Sequence, residues 1–357
     1  MTRDLGQEQS ASRLEYQPPR PRGSILVTGG AGYIGSHTLR EFERAGYHPI
    51  CFDNLSTGFR KFADRFVFVR GDLADRAQIS RALAAENPQA VVHFASHALV
   101  GESWENPFKY YHDNIVHALN LLEEMRGLGV RFIVFSSSCA TYGIPSQVPI
   151  PESHPLDPIN PYGASKMIIE RILRDYDKAF GIRFVSLRYF NAAGADPDGT
   201  IGEHHAPETH LIPRLLDVVL GRAQAAQVFG KDYPTPDGTC IRDYIHVMDL
   251  ALAHVAALEY LLGGNPSAVF NLGTGNGYSV LEVIRQVVTS TGKEFPLEIA
   301  QRRPGDPAVL VADPSKARTV LGWSARHSSL SEIVDTAWNW HRGKHLVLKL
   351  QAQENDE

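Results

Sequence analysis

The chain of 357 residues is poor in cysteine, with only Cys51, Cys139 and Cys240, an odd number at wide spacing. That pattern offers no disulfide framework, so a reducing compartment and no disulfide are expected. A basic stripe interleaved with aromatics is missing as well. Lys and Arg total 35 against 40 Asp and Glu, for a net charge of -5, which argues against nucleic acid as a partner. No apolar run approaches the length of a membrane span. Residues 1–23 are polar, with acids and prolines where a signal peptide would have an apolar core. They read as a disordered tail, residues 346–357 as a second tail, and the protein as cytoplasmic with no membrane partner. Neither paired catalytic carboxylates nor a hydrolase nucleophile elbow is found, so hydrolysis has little support.

What is present is an ordinary globular composition, 43% hydrophobic and 21% charged, in a chain long enough for one large or two medium domains. From Ser24 onward, "SILVTG", "HPICFD", "RFVFVRGD", "AVVHFAS", "RFIVFSSS" and "RFVSLRYFN" read as buried strands, alternating with segments of helical period. Strand–helix alternation means parallel strands with right-handed crossovers, hence a doubly wound α/β sheet covered on both faces. After Asn191 the rhythm changes. A long loop, "AAGADPDGTIGEHHAPETH", leads to a helix around Leu211 to Leu220, a strand at Val228 and Phe229, and a further strand and helix in "AVFNLGTG" and "LEVIRQVV". The division expected is a doubly wound domain over 24–190 and a smaller mixed domain over 191–345, the latter returning strands to the first sheet.

Chemistry concentrates where strands end. "VTGGAGYIGSH" places Gly29, Gly32 and Gly35 at the first strand-to-helix turn, where glycine lets backbone approach a pyrophosphate at the helix N-terminus. The second strand ends in Asp53, positioned to accept hydrogen bonds from an adenosine ribose and to disfavour a 2′-phosphate, so NAD is expected rather than NADP. Asp72 follows the third strand, either beside an adenine or as a helix cap. Ser136, Ser137 and Ser138 end the fifth, where they either satisfy backbone groups or hydrogen-bond a substrate hydroxyl. "NPYGASKMIIERIL" opens a helix with Tyr162 and Lys166 four residues apart on one face, and a cation there favours the phenolate. Tyr162 alone among the 13 tyrosines has lysine at that spacing. "EHHAPETH" clusters Glu203, His204, His205, Glu208 and His210, but in an irregular loop with no helical zinc spacing, so no metal is expected.

Taken together, "TGGAGYIG", "FDNLSTG", "GDL", "FSSSCATYG" and "NPYGASK" resemble the extended short-chain dehydrogenase/reductase family in order and spacing. Within it, "VGESWENPFKYYHDN", "RYFNAAGADPDG", "THLIP", "VFGKDYPTPDGTCIRDYIHVMDLALAH" and "RRPGD" resemble the UDP-glucose 4-epimerases, over nearly everything from Ser24 to His341. The resemblance implies a Rossmann domain with a C-terminal substrate domain and bound NAD. It also implies an exchange of UDP-glucose and UDP-galactose through a 4-keto intermediate. It makes Tyr162 the base, Lys166 the holder of the nicotinamide ribose that lowers the tyrosine pKa, and Ser138 the partner of the sugar hydroxyl. NAD would be lined by Gly29, Gly32, Tyr33, Ile34, Gly35, Asp53, Asn54, Ser56, Asp72, Leu73, Phe94, Ala95, Asn114, Ser136 and Tyr189. UDP-sugar would be held by Asn191, His210, Leu211, Phe229, Arg242, Arg303 and Asp306, and the two arginines suit diphosphate oxygens.

The same resemblance implies a homodimer, formed by the Tyr162 helix together with a helix through "NPFKYYHDNIVHALNLLEEM". It places Leu310 on the far wall of the sugar pocket, where a bulky tyrosine goes with rejection of N-acetylated sugars. Ala98 and His210 depart from the pattern, since some members carry lysine and asparagine there. Alternatives are a 4-epimerase for UDP-xylose and UDP-arabinose, a dual-specificity enzyme, or an NAD-sensing scaffold on the same fold.

Overall fold

A computed structural model describes residues 22–303 and 305–354, with side chains through residue 343. The first expected tail lies outside the described residues up to residue 21, as do residues 355–357 of the second. The helix Leu330–Glu354 runs into the remainder of that second segment.

The six apolar runs form β1 (Ser24–Thr28), β2 (His48–Asp53), β3 (Val67–Arg70), β4 (Ala90–His93), β5 (Phe132–Ser138) and β6 (Arg183–Tyr189). All pair in parallel, and the strand Ala268–Leu272 pairs in parallel with β6. The resulting seven-stranded order is Ala268–Leu272, β6, β5, β4, β1, β2, β3. Strand order reverses between β1 and β4, which opens a crevice at the carboxyl ends where such sheets take their ligands.

Successive strand residues point to opposite faces, and both faces are buried. Ile25 and Val27 of β1 join one core with helix α1 (Tyr33–Arg44) and the helix Val247–Leu262, while Leu26 joins the other. That second core is covered by α2 (Arg76–Glu86) and the helices His117–Leu128 and Pro161–Phe180. Between β4 and β5 come α3 (Val100–Glu105), α4 (Pro107–Tyr111) and α5 (His117–Leu128); α6 (Pro161–Phe180) connects β5 to β6. The expected single helix through residues 106–125 is interrupted by a π-helical turn, His112–Val116. The extra residue in that turn rotates Asn114 inward to 1% exposure, where its side chain accepts from His97 N at 2.8 Å and donates to Ser165 Oγ at 3.0 Å. Helical periodicity alone carries no mark of such an insertion.

Beyond Asn191 lie α7 (Leu211–Val219) and α8 (Val247–Leu262). A third core joins α7, the helix Val280–Thr291 and the helix Leu330–Glu354 to the strand Ala226–Phe229. A short sheet sets Ile241–Arg242 between Tyr278–Ser279 and Val309–Leu310. Among the described residues no helix is long and apolar enough to cross a membrane.

Candidate active site

The carboxyl ends of the strands gather one half of the site. Gly29 has φ +73°, and a Cβ there would stand 2.7 Å from Ala95 N, so the loops after β1 and β4 touch backbone to backbone. A Cβ on Gly35 would stand 2.2 Å from Gly29 O, which packs α1 hard against the loop. Gly32 caps α1 with no side-chain bond, leaving the first-turn N–H groups at Tyr33 and Ile34 directed at the crevice. The Tyr33 hydroxyl is already committed, donating to Gly194 O at 2.7 Å. Asp53 is buried and accepts from Ala31 N at 2.9 Å and Leu55 N at 2.8 Å. Burial raises its pKa, with those two N–H bonds pulling the other way.

Asn54 donates to Asp72 at 2.9 Å and accepts from Ser56 N at 2.9 Å, so the turns after β2 and β3 are one linked rim. The alternative of Asp72 as a helix cap falls away, because Asp75 caps α2. Leu73 is a core side chain whose carbonyl accepts from Asn120 at 3.0 Å. Phe94 and Tyr189 both rest on the ring of His254.

At the end of β5, Ser138 Oγ accepts from Ala140 N at 3.1 Å. The Ser136 hydroxyl bonds the Tyr189 hydroxyl, and Ser137 donates to Glu170 at 2.6 Å. Asn160 caps α6 by accepting from Gly163 N at 2.8 Å, and Pro161 takes its first position. This start sets Tyr162 and Lys166 on one face, with Lys166 Nζ 5.8 Å from the phenol ring centre. Lys166 is 2% exposed and donates to Ser96 Oγ at 2.7 Å and Ser136 O at 2.9 Å.

The other half of the site comes from beyond residue 190. Asn191 starts a short strand paired with Tyr244–His246. Leu211 opens α7, and His210 pairs with Glu203 at its cap position. Arg242, 8% exposed, pairs with Asp306, so it is no surface salt bridge. The Arg303 guanidinium sits 4.1 Å from the centre of the Phe229 ring. Leu310 lies in register with Arg242 and packs near Cys139 against Tyr142, Ile150 and Phe190.

A family model described as "NAD dependent epimerase/dehydratase family" matches residues 25–273. The chain belongs to the NAD-dependent epimerase/dehydratase family. It is 51% identical over 318 residues to the UDP-glucose 4-epimerase of Rhizobium leguminosarum bv. trifolii, covering 89% of this chain and 97% of that relative. The Brucella ovis UDP-glucose 4-epimerase, solved in complex with NAD, aligns at TM-score 0.87 with 49% identity, over 88% of this chain and 97% of that one. The UDP-glucose 4-epimerase of Stenotrophomonas maltophila, solved with NAD and formylated UDP-arabinopyranose, aligns at TM-score 0.88 with 40% identity, over 91% and 99% of the two chains.

Two features of this family member add to the sequence reading. Burial pushes Tyr162 up to about 12, with Ser138 pulling the other way, and burial pushes Lys166 down to about 7. Lys166 spends its donors on Ser96 and Ser136, so desolvation acts on the pair alongside the cation effect that the spacing suggests. The second feature is the loop "EHHAPETH". Spacing along a helix gave no reason to expect a metal, yet the loop folds so that ligand atoms of Glu203, His205, Glu208 and His210 lie within 4.8 Å of one another. His204 turns away to the ring of Phe59. Burial acts to lower the His205 pKa, but Glu203 and Glu208 hold it up at about 10. Ser96 and Ser165, which hold Lys166 and Asn114, were missed because a lone serine after a strand or inside a helix carries no signal.

Proposed function

We propose that this chain is an NAD-dependent UDP-glucose 4-epimerase, interconverting UDP-glucose and UDP-galactose. What supports the reading is the family match over residues 25–273 joined to two groups of suitable side chains. Ser138, Tyr162 and Lys166 belong to the half that carries the glycine cradle, and the Arg242–Asp306 and Arg303–Phe229 pairs come from beyond residue 190. Residues 24–190 hold the cofactor and residues 191–345 the nucleotide sugar. The cradle fits NAD, since Gly29 and Gly35 leave no room even for a Cβ, α1 presents its N-terminus, and the buried Asp53 carboxylate suits a ribose diol. Bound NAD supplies a hydride acceptor that keeps the hydride and returns it.

The chain's own residues do the rest. Tyr162 takes the proton from the sugar 4-hydroxyl as phenolate, a form that the positive charges of Lys166 and of a bound nicotinamide would favour against the burial that opposes it, and Ser138 hydrogen-bonds the same sugar oxygen. The guanidinium groups of Arg242 and Arg303 grip the diphosphate, a stronger and more directional contact than any made to the hexose. A nucleotide held at one end lets the 4-keto sugar turn its other face to the hydride and regain the Tyr162 proton. Configuration at C4 inverts with no net oxidation.

The test is incubation of pure protein with UDP-galactose and no added NADH, following UDP-glucose by NMR. Turnover that falls at least about 10²-fold in Tyr162→Phe, with little change in UDP affinity, supports the assignment. Unchanged turnover in that variant removes Tyr162 from the chemistry, and NAD-containing wild type with no turnover favours a sensing scaffold. A pentose analogue sits in the Stenotrophomonas relative, so UDP-arabinose is a second substrate to assay. The chain acts as a homodimer, joined through α6 and the segment from α4 to α5; the apolar exposure that supports this lies on α3, α4 and the π turn, where Trp104 is 60% and Phe108 74% exposed beside exposed Tyr111 and Val116. Light scattering that gives only monomer at micromolar concentration overturns this.

A further inference from the structure

Beside the residues expected to hold UDP-sugar, and sharing His210 with them, one cluster is built from metal-ligating side chains. Glu203 is 3% exposed, and its carboxylate faces both His205 and His210. His205 Nδ1 lies 3.4 Å from Glu203 Oε1 and 3.7 Å from Glu208 Oε2, and His210 Nδ1 lies 3.8 Å from Glu208 Oε1. A tetrahedral zinc with ligands at about 2.0–2.1 Å has ligand-to-ligand edges of about 3.3 Å, so the two His205 contacts need only small contraction, while the Glu203–His210 contact, shorter than a normal hydrogen bond, must open to admit the ion. His205 Nδ1 and Glu208 Oε2 are also buried and make no well-formed hydrogen bond, only the longer ion-pair contacts just given, which a cation between them would replace with ligand bonds.

The ligands are held in place from behind. Glu208 Oε1 accepts from Thr209 N at 2.8 Å and His210 N at 3.0 Å, which leaves Oε2 pointing inward. Trp340 Nε1 donates to Glu203 O at 2.8 Å and anchors that residue's backbone. We infer that Glu203, His205, Glu208 and His210 form a structural site for a divalent zinc-class ion. Two imidazoles and two carboxylates leave the ion's charge balanced, and mixed nitrogen and oxygen ligands favour zinc over calcium or magnesium. The ion would fasten the loop before α7 to that helix's cap residue, His210. Tyr33, at the start of α1, stands edge-on to His205 with ring centres 6.4 Å apart, so the fastening reaches the cofactor side of the cleft. The inference stands whether or not the epimerase reading does.

The other grouping of this kind among the described residues is His112, Asp113 and His117, on the exposed π turn, where Asp113 is already paired with His97 and His112. It serves as the control. Untagged full-length protein is treated with EDTA, desalted, given zinc, desalted again and assayed for zinc per chain, with affinity from competition against a chromophoric chelator. Wild type should retain about one zinc, and His205→Ala and Glu208→Gln should each weaken binding at least about 100-fold. His117→Ala should leave binding unchanged. Cobalt(II) in wild type should show the visible bands of a four-coordinate centre, absent in His205→Ala. Both variants are compared with wild type in EDTA by circular dichroism and melting, and Glu208→Gln, being isosteric, covers the case in which His205→Ala fails to fold. Zinc lost on desalting wild type, retained in Glu208→Gln, or lost in His117→Ala overturns the site.

Discussion

Replacing Glu170 by glutamine tests how the sheet holds its catalytic strand. Glu170 on α6 is fully buried and accepts from Ser137 at 2.6 Å and from Arg188 Nε at 2.8 Å, while Arg188 Nη2 grips its second oxygen. Arg188, 2% exposed on β6, also donates to the Tyr142 hydroxyl at 3.0 Å, which donates to Asn271 at 2.6 Å. The network therefore joins β5, α6, β6 and the strand Ala268–Leu272 immediately behind Ser138. Glutamine keeps the shape but leaves a buried guanidinium without its counter-charge, a change that costs about 3–5 kcal/mol. For a chain of this length each kcal/mol moves the melting temperature by about 1.4 °C, so the expected drop is about 4–7 °C. Arg188→Met, which strands the carboxylate, should do the same. The double variant Glu170→Leu with Arg188→Met removes both charges and should recover to within about 2 kcal/mol of wild type, since apolar replacement of a buried pair is close to neutral. Scanning calorimetry on the four proteins decides. Single variants within about 1 °C of wild type, or a double variant that merely adds the two losses, would refute this account of the pair.

Gly35→Ala drives a Cβ against the Gly29 carbonyl, which no rotamer change relieves. NAD retained through purification, measured chromatographically after denaturation, should fall at least about tenfold, and full occupancy would mean α1 shifts freely. Burial keeps His93 neutral, its pKa pushed down to about 3 from 6.5, with the charges of Lys166 and His117 adding to the effect. A folded-state pKa below the unfolded one gives stability that is present above pH 6.5 and lost as pH falls toward 3. At pH 5 the wild type should have lost about 2 kcal/mol that His93→Gln does not lose, and equal losses in denaturant titrations would count against a neutral His93. Leu310 lines an apolar wall, where a buried acetamide without a partner costs about 1–3 kcal/mol. UDP-N-acetylglucosamine should be a poor substrate, with kcat/KM improved in Leu310→Gly; no gain there would mean that Leu310 does not border the sugar.

The local and periodic features of the protein were legible in the residues themselves. The apolar runs named every strand of the sheet through β6, because a strand buried on both faces has no polar alternation to obscure it. The glycines after β1 and the Asn160–Pro161 start of α6 are likewise written in short stretches, since turn and cap chemistry depends on neighbours in sequence. The return of Ala268–Leu272 to the sheet was expected as well, although its neighbour β6 could be assigned only from the register.

Contacts between distant segments, and the electrostatics they create, were decided by tertiary structure alone. Lys166 finds Ser96 across 70 residues of chain, and burial at that meeting point acts on the Tyr162 and Lys166 pKa values in a way that a Tyr–Lys pair in isolation does not show. The π turn that brings Asn114 inward depends on partners at His97 and Ser165, which no period records. The cluster of Glu203, His205, Glu208 and His210 forms because an irregular loop folds back on itself under Trp340 and Tyr33. Periodicity is a property of neighbours along the chain, whereas desolvation and ligand geometry are properties of whatever the fold brings together.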